Sequence, residues 1–341
     1  MQDASSPPRG PVLWLAAFVG FYRPTEETIR ELDPVARFLY AARSVILVIS
    51  AQAAAIAGLL AATDGRFNPV AFVLVLLGFL AAHAISNLSN DYFGYRRGHD
   101  TPDSPRMRYT VHPMTNGVVG TRTLATGLAI LTLLGLGIAA YFTAVRGPLA
   151  LGFAAVGAAL LYLYDAAPIP LKSIGLGEVA SFLVWGPLMV GGGYYVITGR
   201  LSAAAFLASV PYGLGVMSIL LGKHIDQLDF DLGAGQRTLP VLLGEATARR
   251  VNQAVVVSMY VIIAALVLFG ALTPFAALVV LAAPRAINAL RLMKRPRPES
   301  PPAGYVGWPL WYHRACLRHN RLFGWLYLCG LALGAIWSAV A

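Results

Sequence analysis

Charge is the scarcest commodity in this chain: only 12% of its residues are Asp, Glu, Lys or Arg, against roughly a quarter in ordinary globular domains. That shortage, beside 57% apolar residues, excludes a conventional water-soluble domain and identifies a polytopic membrane protein. Cysteine is nearly missing. Cys316 and Cys329 stand in no metal-ligand or redox spacing, which argues against a disulfide framework or a zinc site and leaves packing as their role. Also lacking is a basic start followed by a short apolar core and a small-residue cleavage site, so the segment 1–37 is expected to be cytosolic rather than a secretory signal. Acid is rarer than base, 16 residues against 26, for a net charge of +10. The positive charge is spread over several loop ends, which fits anionic lipid headgroups and excludes nucleic acid as the natural partner.

What the sequence does hold is apolar runs of membrane-crossing length, about 20 residues each. Nine are read, over 38–63, 69–88, 122–143, 148–166, 173–197, 202–224, 251–271, 274–293 and 321–340, the eighth being interrupted by Pro284 and Arg285. Joints such as "TDGRFNP", "VRGP" and "TGR" are too short for anything but antiparallel neighbours. The expected fold is all-α, a polytopic membrane bundle of nine helices around a central cavity, with residues 38–341 forming one domain. With the N-terminus inside, only Arg66, Arg146 and Arg200 fall in outer loops, and every other Lys and Arg lies on the cytoplasmic side, as the positive-inside bias requires.

Six of the 16 acids are concentrated in two places. Asp91, Asp100 and Asp103 lie in "SNDYFGYRRGHDTPDS" after the second run, and Asp226, Asp229 and Asp231 in "LLGKHIDQLDFDLGAGQRTLP" after the sixth. The two runs are four apart, which hints at an internal repeat. A lone loop aspartate is as readily a solvated charge. Clusters at the ends of apolar helices, interleaved with Arg and Lys, point instead to a site. Carboxylates with the Asn90 amide suit Mg²⁺, a hard cation held by one or two carboxylates and substrate phosphate oxygens. Two clusters at one cavity mouth would bridge a diphosphate ester, with Arg96, Arg97, Lys223 and Arg237 adding charge on its oxygens. Cations there stabilise a departing diphosphate, and a dry cavity protects the allylic cation left behind.

These segments resemble the two aspartate-rich motifs of the UbiA-type intramembrane prenyltransferase superfamily, over most of the chain. Asn90, Asp91 and Asp100 match the first motif in its menaquinone-branch form, but Gly94 stands where relatives usually carry another Asp. Either Asp103 compensates or fewer ions bind, and if the missing acid is merely lost, restoring an Asp at position 94 is expected not to impair metal binding. In the second motif Asp226 and Asp231 are the preferred pair, spaced five apart instead of four with Asp229 between them; Gly235, Arg237, Thr238 and Leu239 match its tail. "LYLYDAAPIPLKSIGLGE" resembles a third family element, which implies that Tyr164 and Lys172 lie near the diphosphate or the reacting carbon. Glu178 is expected to orient Lys172 or a substrate group, and Asp165 to be hydrated at the boundary. Arg43 resembles an arginine near the acceptor pocket of some relatives, or else it snorkels to the interface. Trp308, Trp311, Tyr312 and Trp325 read as an interfacial belt, with a lid as the alternative; His313 and His319 read as non-ligands.

The resemblance implies a Mg²⁺-dependent enzyme of the cytoplasmic membrane, with its site near the cytoplasmic face, that joins an isoprenyl group from a prenyl diphosphate to an aromatic or lipid acceptor. Asp91 and Asp226 are the expected catalytic anchors beside Tyr164 and Lys172; the full ligand set is Asn90, Asp91, Asp100, Asp103, Asp226, Asp229 and Asp231. A terpene cyclase of the same superfamily needs the same ionising machinery without an acceptor. A transporter would place its acids near the bilayer midplane, which this pattern does not.

Overall fold

The computed structural model describes residues 10–20, 22, 24–98, 100–101, 104–108 and 111–340. Among the described residues nine helices are long and apolar enough to cross a membrane: Ser44–Thr63, Pro69–Arg96, Thr121–Arg146, Pro148–Asp165, Gly177–Thr198, Ala203–Asp226, Glu245–Leu268, Pro274–Met293 and Tyr312–Val340. We number these spans one to nine. Their starts carry ordinary helix-initiating chemistry. Pro69, Pro148 and Pro274 sit in first turns, where a missing N–H costs nothing. Asn68 and Ser202 accept the Ala71 and Ala205 amides at 2.9 and 3.2 Å.

Three spans depart from the lengths of their apolar runs. Span two continues through Arg96, span seven begins at Glu245, and span nine begins at Tyr312 instead of 321. An apolar run measures the hydrocarbon thickness, whereas a helix continues into the headgroup region wherever its polar turns find protein partners. Span one is the opposite case. Its expected continuous helix breaks at Arg43, the one described non-glycine residue with positive φ (φ 54), between helix Pro34–Ala41 and the 3₁₀ turn Ser44–Ile46. Asn87 Nδ2 donates to the freed Ala42 carbonyl at 3.0 Å. Span eight starts as a 3₁₀ helix, Pro274–Ala282, and becomes α-helical where Pro284 takes a first-turn position. Span five contains a π-helical stretch, Val184–Gly191, around Pro187.

Span six lies at the centre, packed against spans five, seven and nine. Spans five and six approach so closely that a Cβ on Gly213 would lie 2.9 Å from the Gly186 Cα and the Phe182 carbonyl oxygen. Small residues such as Ala53 and Ala57 interdigitate with Tyr212, Met259, Phe323 and Tyr327 in the core. The buried tyrosines satisfy their hydroxyls on main chain: Tyr212 donates to Ile49 O at 2.7 Å and Tyr327 to Ala208 O at 2.9 Å. The described part of segment 1–37 is not detached from this bundle. Leu13, Ile29, Leu32 and Ala36 form a second apolar cluster with Ala84, Leu88, Val118 and Leu124 at the ends of spans two and three.

Because successive spans reverse direction, the ends of spans two, four, six and eight meet the starts of spans three, five, seven and nine at one end of the bundle. Main-chain ties join those loops. Arg97 donates to the carbonyls of Asp165, Ala166 and Ala167 at 2.5, 3.1 and 2.7 Å, and the Arg237 amide donates to Ser173 O at 3.1 Å. Between spans eight and nine, Tyr305, Trp308 and Trp311 cluster with ring centroids 5.1 to 6.5 Å apart. Tyr312, expected in an interfacial belt, is instead buried, with its hydroxyl on Arg295 O at 2.7 Å, because span nine begins at Tyr312, well before its apolar run at 321. Trp325 is exposed on the bundle surface. His313 and His319 are both enclosed by protein contacts, His319 Nε2 lying 2.8 Å from the Tyr260 hydroxyl.

Candidate active site

Asp91 occupies the last turns of span two, fully buried, on the face turned toward the break in span one. The left-handed turn at Arg43 aims its guanidinium at the Asp91 carboxylate, and the two form an ion pair. A residue held in that sparsely populated conformation is strained, and such strain concentrates at functional sites. Asp100 returns to the same place from the loop after span two, and His112 closes on it from the far side of that loop with Nε2 3.2 Å from Asp100 Oδ2 and 4.0 Å from Asp91 Oδ1. One potential ligand atom from each of these three residues lies within 4.8 Å of the other two.

Gly94 explains how Asp100 reaches this position. A Cβ built on Gly94 would overlap the Asp100 Oδ2, so the carboxylate of residue 100 rests in the space that any side chain at 94 would claim. The expectation that an Asp restored at 94 would be harmless is therefore reversed. Asp103 lies outside the described residues.

The third sequence element joins this cluster through Lys172. Its Nζ pairs with Asp165 and donates to Asn90 Oδ1 at 3.1 Å. Asp165 is thus buried and paired, not hydrated at a boundary, because the turn after span four folds it under Lys172. Glu178, expected to orient Lys172, instead binds His224 Nδ1 at 2.7 Å, joining span five to span six. Tyr164 lines a cavity together with Arg43, Asn90 and Lys223.

The second motif divides its acids among different tasks. Asp226 Oδ1 and Oδ2 accept the Tyr312 and His313 amides at 3.0 and 2.9 Å, which satisfies two of the free N–H groups at the start of span nine. One turn earlier, Gly222 lets that helix start come close: a Cβ there would lie 2.9 Å from the His313 nitrogen. Asp226, expected as a principal metal ligand, is here committed to a helix cap. Asp231 is buried, 3.4 Å from the Thr238 hydroxyl, and burial pushes its carboxyl above the ordinary carboxylate range against the pull of His224 and Lys223. Asp229, Arg96 and Arg237 are exposed. Arg97, expected on the diphosphate, directs its guanidinium at the end of span four.

Above this polar end a cavity of about 1740 Å³ runs into the bundle. Its polar lining includes Arg43, Asn90, Tyr164 and Lys223, and its walls are apolar, with Phe79, Ile138, Phe142, Leu161, Trp185 and Met189 among them. Arg314, Arg318 and Arg321 also line it. Their spacing of four and three places them on one face of span nine, a stripe invisible to a reading that began that span at 321. Leu310 and Gly307 carry the aromatic segment to the same wall. Such a space suits an amphiphile with a charged head and a long apolar tail.

A profile of the UbiA prenyltransferase family matches residues 51–313. The chain belongs to the UbiA prenyltransferase family. It is 30% identical over 183 residues to a 1,4-dihydroxy-2-naphthoate octaprenyltransferase of Bacillus subtilis (strain 168), a match covering 52% of this chain and 56% of that relative. With the Escherichia coli (strain K12) protein of the same description it shares 28% identity over 238 residues, covering 67% of this chain and 76% of the other. Among solved structures, a UbiA homolog from Archaeoglobus fulgidus bound to GPP and Mg²⁺ has the same fold, with a TM-score of 0.61 at 16% identity, across 87% of this chain and 99% of that one. The helical membrane bundle is thus the fold this chain shares with that homolog.

Proposed function

We propose that this UbiA-family chain transfers an isoprenyl group from a prenyl diphosphate to an aromatic quinone precursor within the membrane, releasing diphosphate. The observation that carries this reading is a cavity in which Asn90 of the first acidic segment and Lys223 of the second meet long apolar walls. The C–O bond between the allylic carbon and the diphosphate breaks with its electron pair leaving on the diphosphate; a ring carbon of the acceptor then bonds to the allylic carbon and sheds its proton. Lys223 and Arg43 face the head of the cavity as fixed cations for the leaving group, Lys172 holds Asn90 in place, and the apolar walls keep water from the cation.

The residues present fit a divalent ion at the first motif, where the Asp91 and Asp100 carboxylates converge, with Asp231 the remaining buried acid of the second motif. Mg²⁺ bound there would neutralise charge building on the departing diphosphate. The relatives named for 1,4-dihydroxy-2-naphthoate support an acidic aromatic acceptor, and Arg314, Arg318 and Arg321 form a second cationic wall on which an acidic group would rest. The positive-inside bias supports an acidic end at the cytoplasmic face.

The test is purified protein in lipid nanodiscs with labelled prenyl diphosphate and Mg²⁺, with and without 1,4-dihydroxy-2-naphthoate. Acceptor-dependent release of diphosphate with a prenylated product is expected. Equal release without acceptor would replace transfer by cyclisation, and no release with any aromatic acceptor would remove the enzyme reading.

A further inference from the structure

We propose that His112 is a positioning residue for the first carboxylate pair, a hydrogen-bond donor locked in one tautomer, and not a ligand of the ion those carboxylates hold. The inference rests on the reading of Asp91 and Asp100 as divalent-cation ligands and concerns what keeps them in place.

The ring of His112 is fully buried and all of its polar capacity is in use. Its Nδ1 accepts the backbone amides of Met114 and Thr115 at 3.2 and 3.1 Å, and the Thr115 hydroxyl lies 3.2 Å away. The turn that presents those amides is closed on itself, for the His112 amide donates to Asn116 Oδ1 at 2.8 Å and the Asn116 amide to the His112 carbonyl at 3.1 Å. A nitrogen facing two N–H donors carries a lone pair and no proton, so the hydrogen bonding assigns the proton to Nε2. That Nε2–H points at Asp100 Oδ2, 3.2 Å away. The opposite ring orientation would turn carbons toward both sets of partners.

The assignment decides between two chemistries. To bind an ion through Nε2 the imidazole would have to carry its proton on Nδ1, as metal-bound histidines do when Nδ1–H donates to a carbonyl or carboxylate. Here that proton would be aimed at two amide hydrogens, with both bonds lost in a site closed to water. The three-residue cluster of Asp91, Asp100 and His112 therefore resembles a facial metal triad in its distances only. Its donor arrangement is a carboxylate pair with the Arg43 guanidinium on Asp91 and the His112 N–H behind Asp100. Asp100 is placed from two directions: Gly94 leaves the space and His112 holds the carboxylate in it. An Nε2–H donor with the lone pair on Nδ1 fixes the Asp100 oxygen without adding to the positive charge that Arg43 already brings to Asp91.

Mn²⁺ is the probe, with the full chain in nanodiscs. Titration followed by electron paramagnetic resonance should show one class of bound Mn²⁺ in the unaltered protein, whose electron spin-echo modulation carries no nitrogen coupling from His112. His112→Ala should weaken Mn²⁺ binding by about 10–100-fold, the usual effect of losing a partner behind a ligand. His112→Gln, whose amide N–H can reach Asp100 as Nε2–H does, should recover most of that affinity. A nitrogen modulation that disappears in His112→Gln would make the residue a ligand and overturn the proposal, as would Mn²⁺ affinity unchanged in His112→Ala or equally poor in both variants. Absence of any bound Mn²⁺ in the unaltered protein would overturn the ligand reading itself, and this inference with it. The spin-echo measurement needs no substitution that might unfold the chain for its first arm.

Discussion

A methyl group at position 94 and the Asp100 carboxylate cannot occupy the same space, so the glycine and the acid act as one unit. Gly94→Ala, and equally Gly94→Asp, should push Asp100 off the cluster and weaken Mn²⁺ binding by about tenfold or more. Unchanged affinity in the alanine variant would mean that the two positions are independent. Asp231 makes the reverse kind of prediction. Burial disfavours its charged form, so the folded state holds the proton more tightly than the unfolded chain does. Its cost to stability is absent below the unfolded carboxylate range and fully present once pH exceeds its raised folded value. Asp231→Asn should therefore raise the melting temperature at neutral pH, lose that gain on acidification, and lower prenyl transfer. A neutral-pH melting temperature that falls would show that the charge is structurally favourable. Of these residues the sequence motif revealed Asp91, Asp100 and Asp231; nothing in it distinguished His112, because a tautomer depends on amides that a turn brings to the ring.

At the start of span nine, the Tyr312 and His313 amides depend on a carboxylate from span six. Asp226→Ala should leave two buried donors unpaired and cost about 1–3 kcal/mol of stability. Gly222→Ala, which forces the same helix start away without altering charge, should destabilise the same junction. Unfolding in detergent and the rate of proteolysis within 294–311 would measure both. If Asp226→Ala abolishes Mn²⁺ binding while leaving the melting temperature intact, the cap is not its role. The motif marks Asp226 as important without saying for what. Both a metal and a helix N-terminus attract a carboxylate, and the choice depends on where residue 312, 86 positions away, is placed.

Across the bundle, the cavity sets a polar head with Arg43, Asn90 and Lys223, apolar walls and the span-nine arginines beside one another. Ala154→Trp or Leu161→Trp, each filling the wall contributed by span four, should shorten the longest prenyl chain accepted, as read by mass spectrometry of the products. Arg321→Ala should raise KM for an acidic aromatic acceptor and leave that for prenyl diphosphate nearly unchanged. An equal rise in both would make the stripe part of the diphosphate site. The membrane architecture needed no tertiary information, since the nine apolar runs overlap the nine spans and mispredict chiefly their ends. The ends escaped because Arg96, Glu245 and Arg314 are polar yet helical, Glu245 pairing with Arg249 and Arg314 lying over the Tyr305 ring, and hydropathy does not register such contacts.

Apolar length, the scarcity of charge and the two acidic motifs are properties of neighbouring residues, and they were enough to specify a helical membrane bundle with chemistry at one end. Which aspartates converge on one another and which caps a helix terminus, why a glycine stands at 94, and which nitrogen of His112 faces the amides depend on atoms that meet only after the chain has folded. The reason is one of range: helix formation and burial in lipid follow local composition, whereas a carboxylate takes whichever donor the packing of distant segments sets beside it.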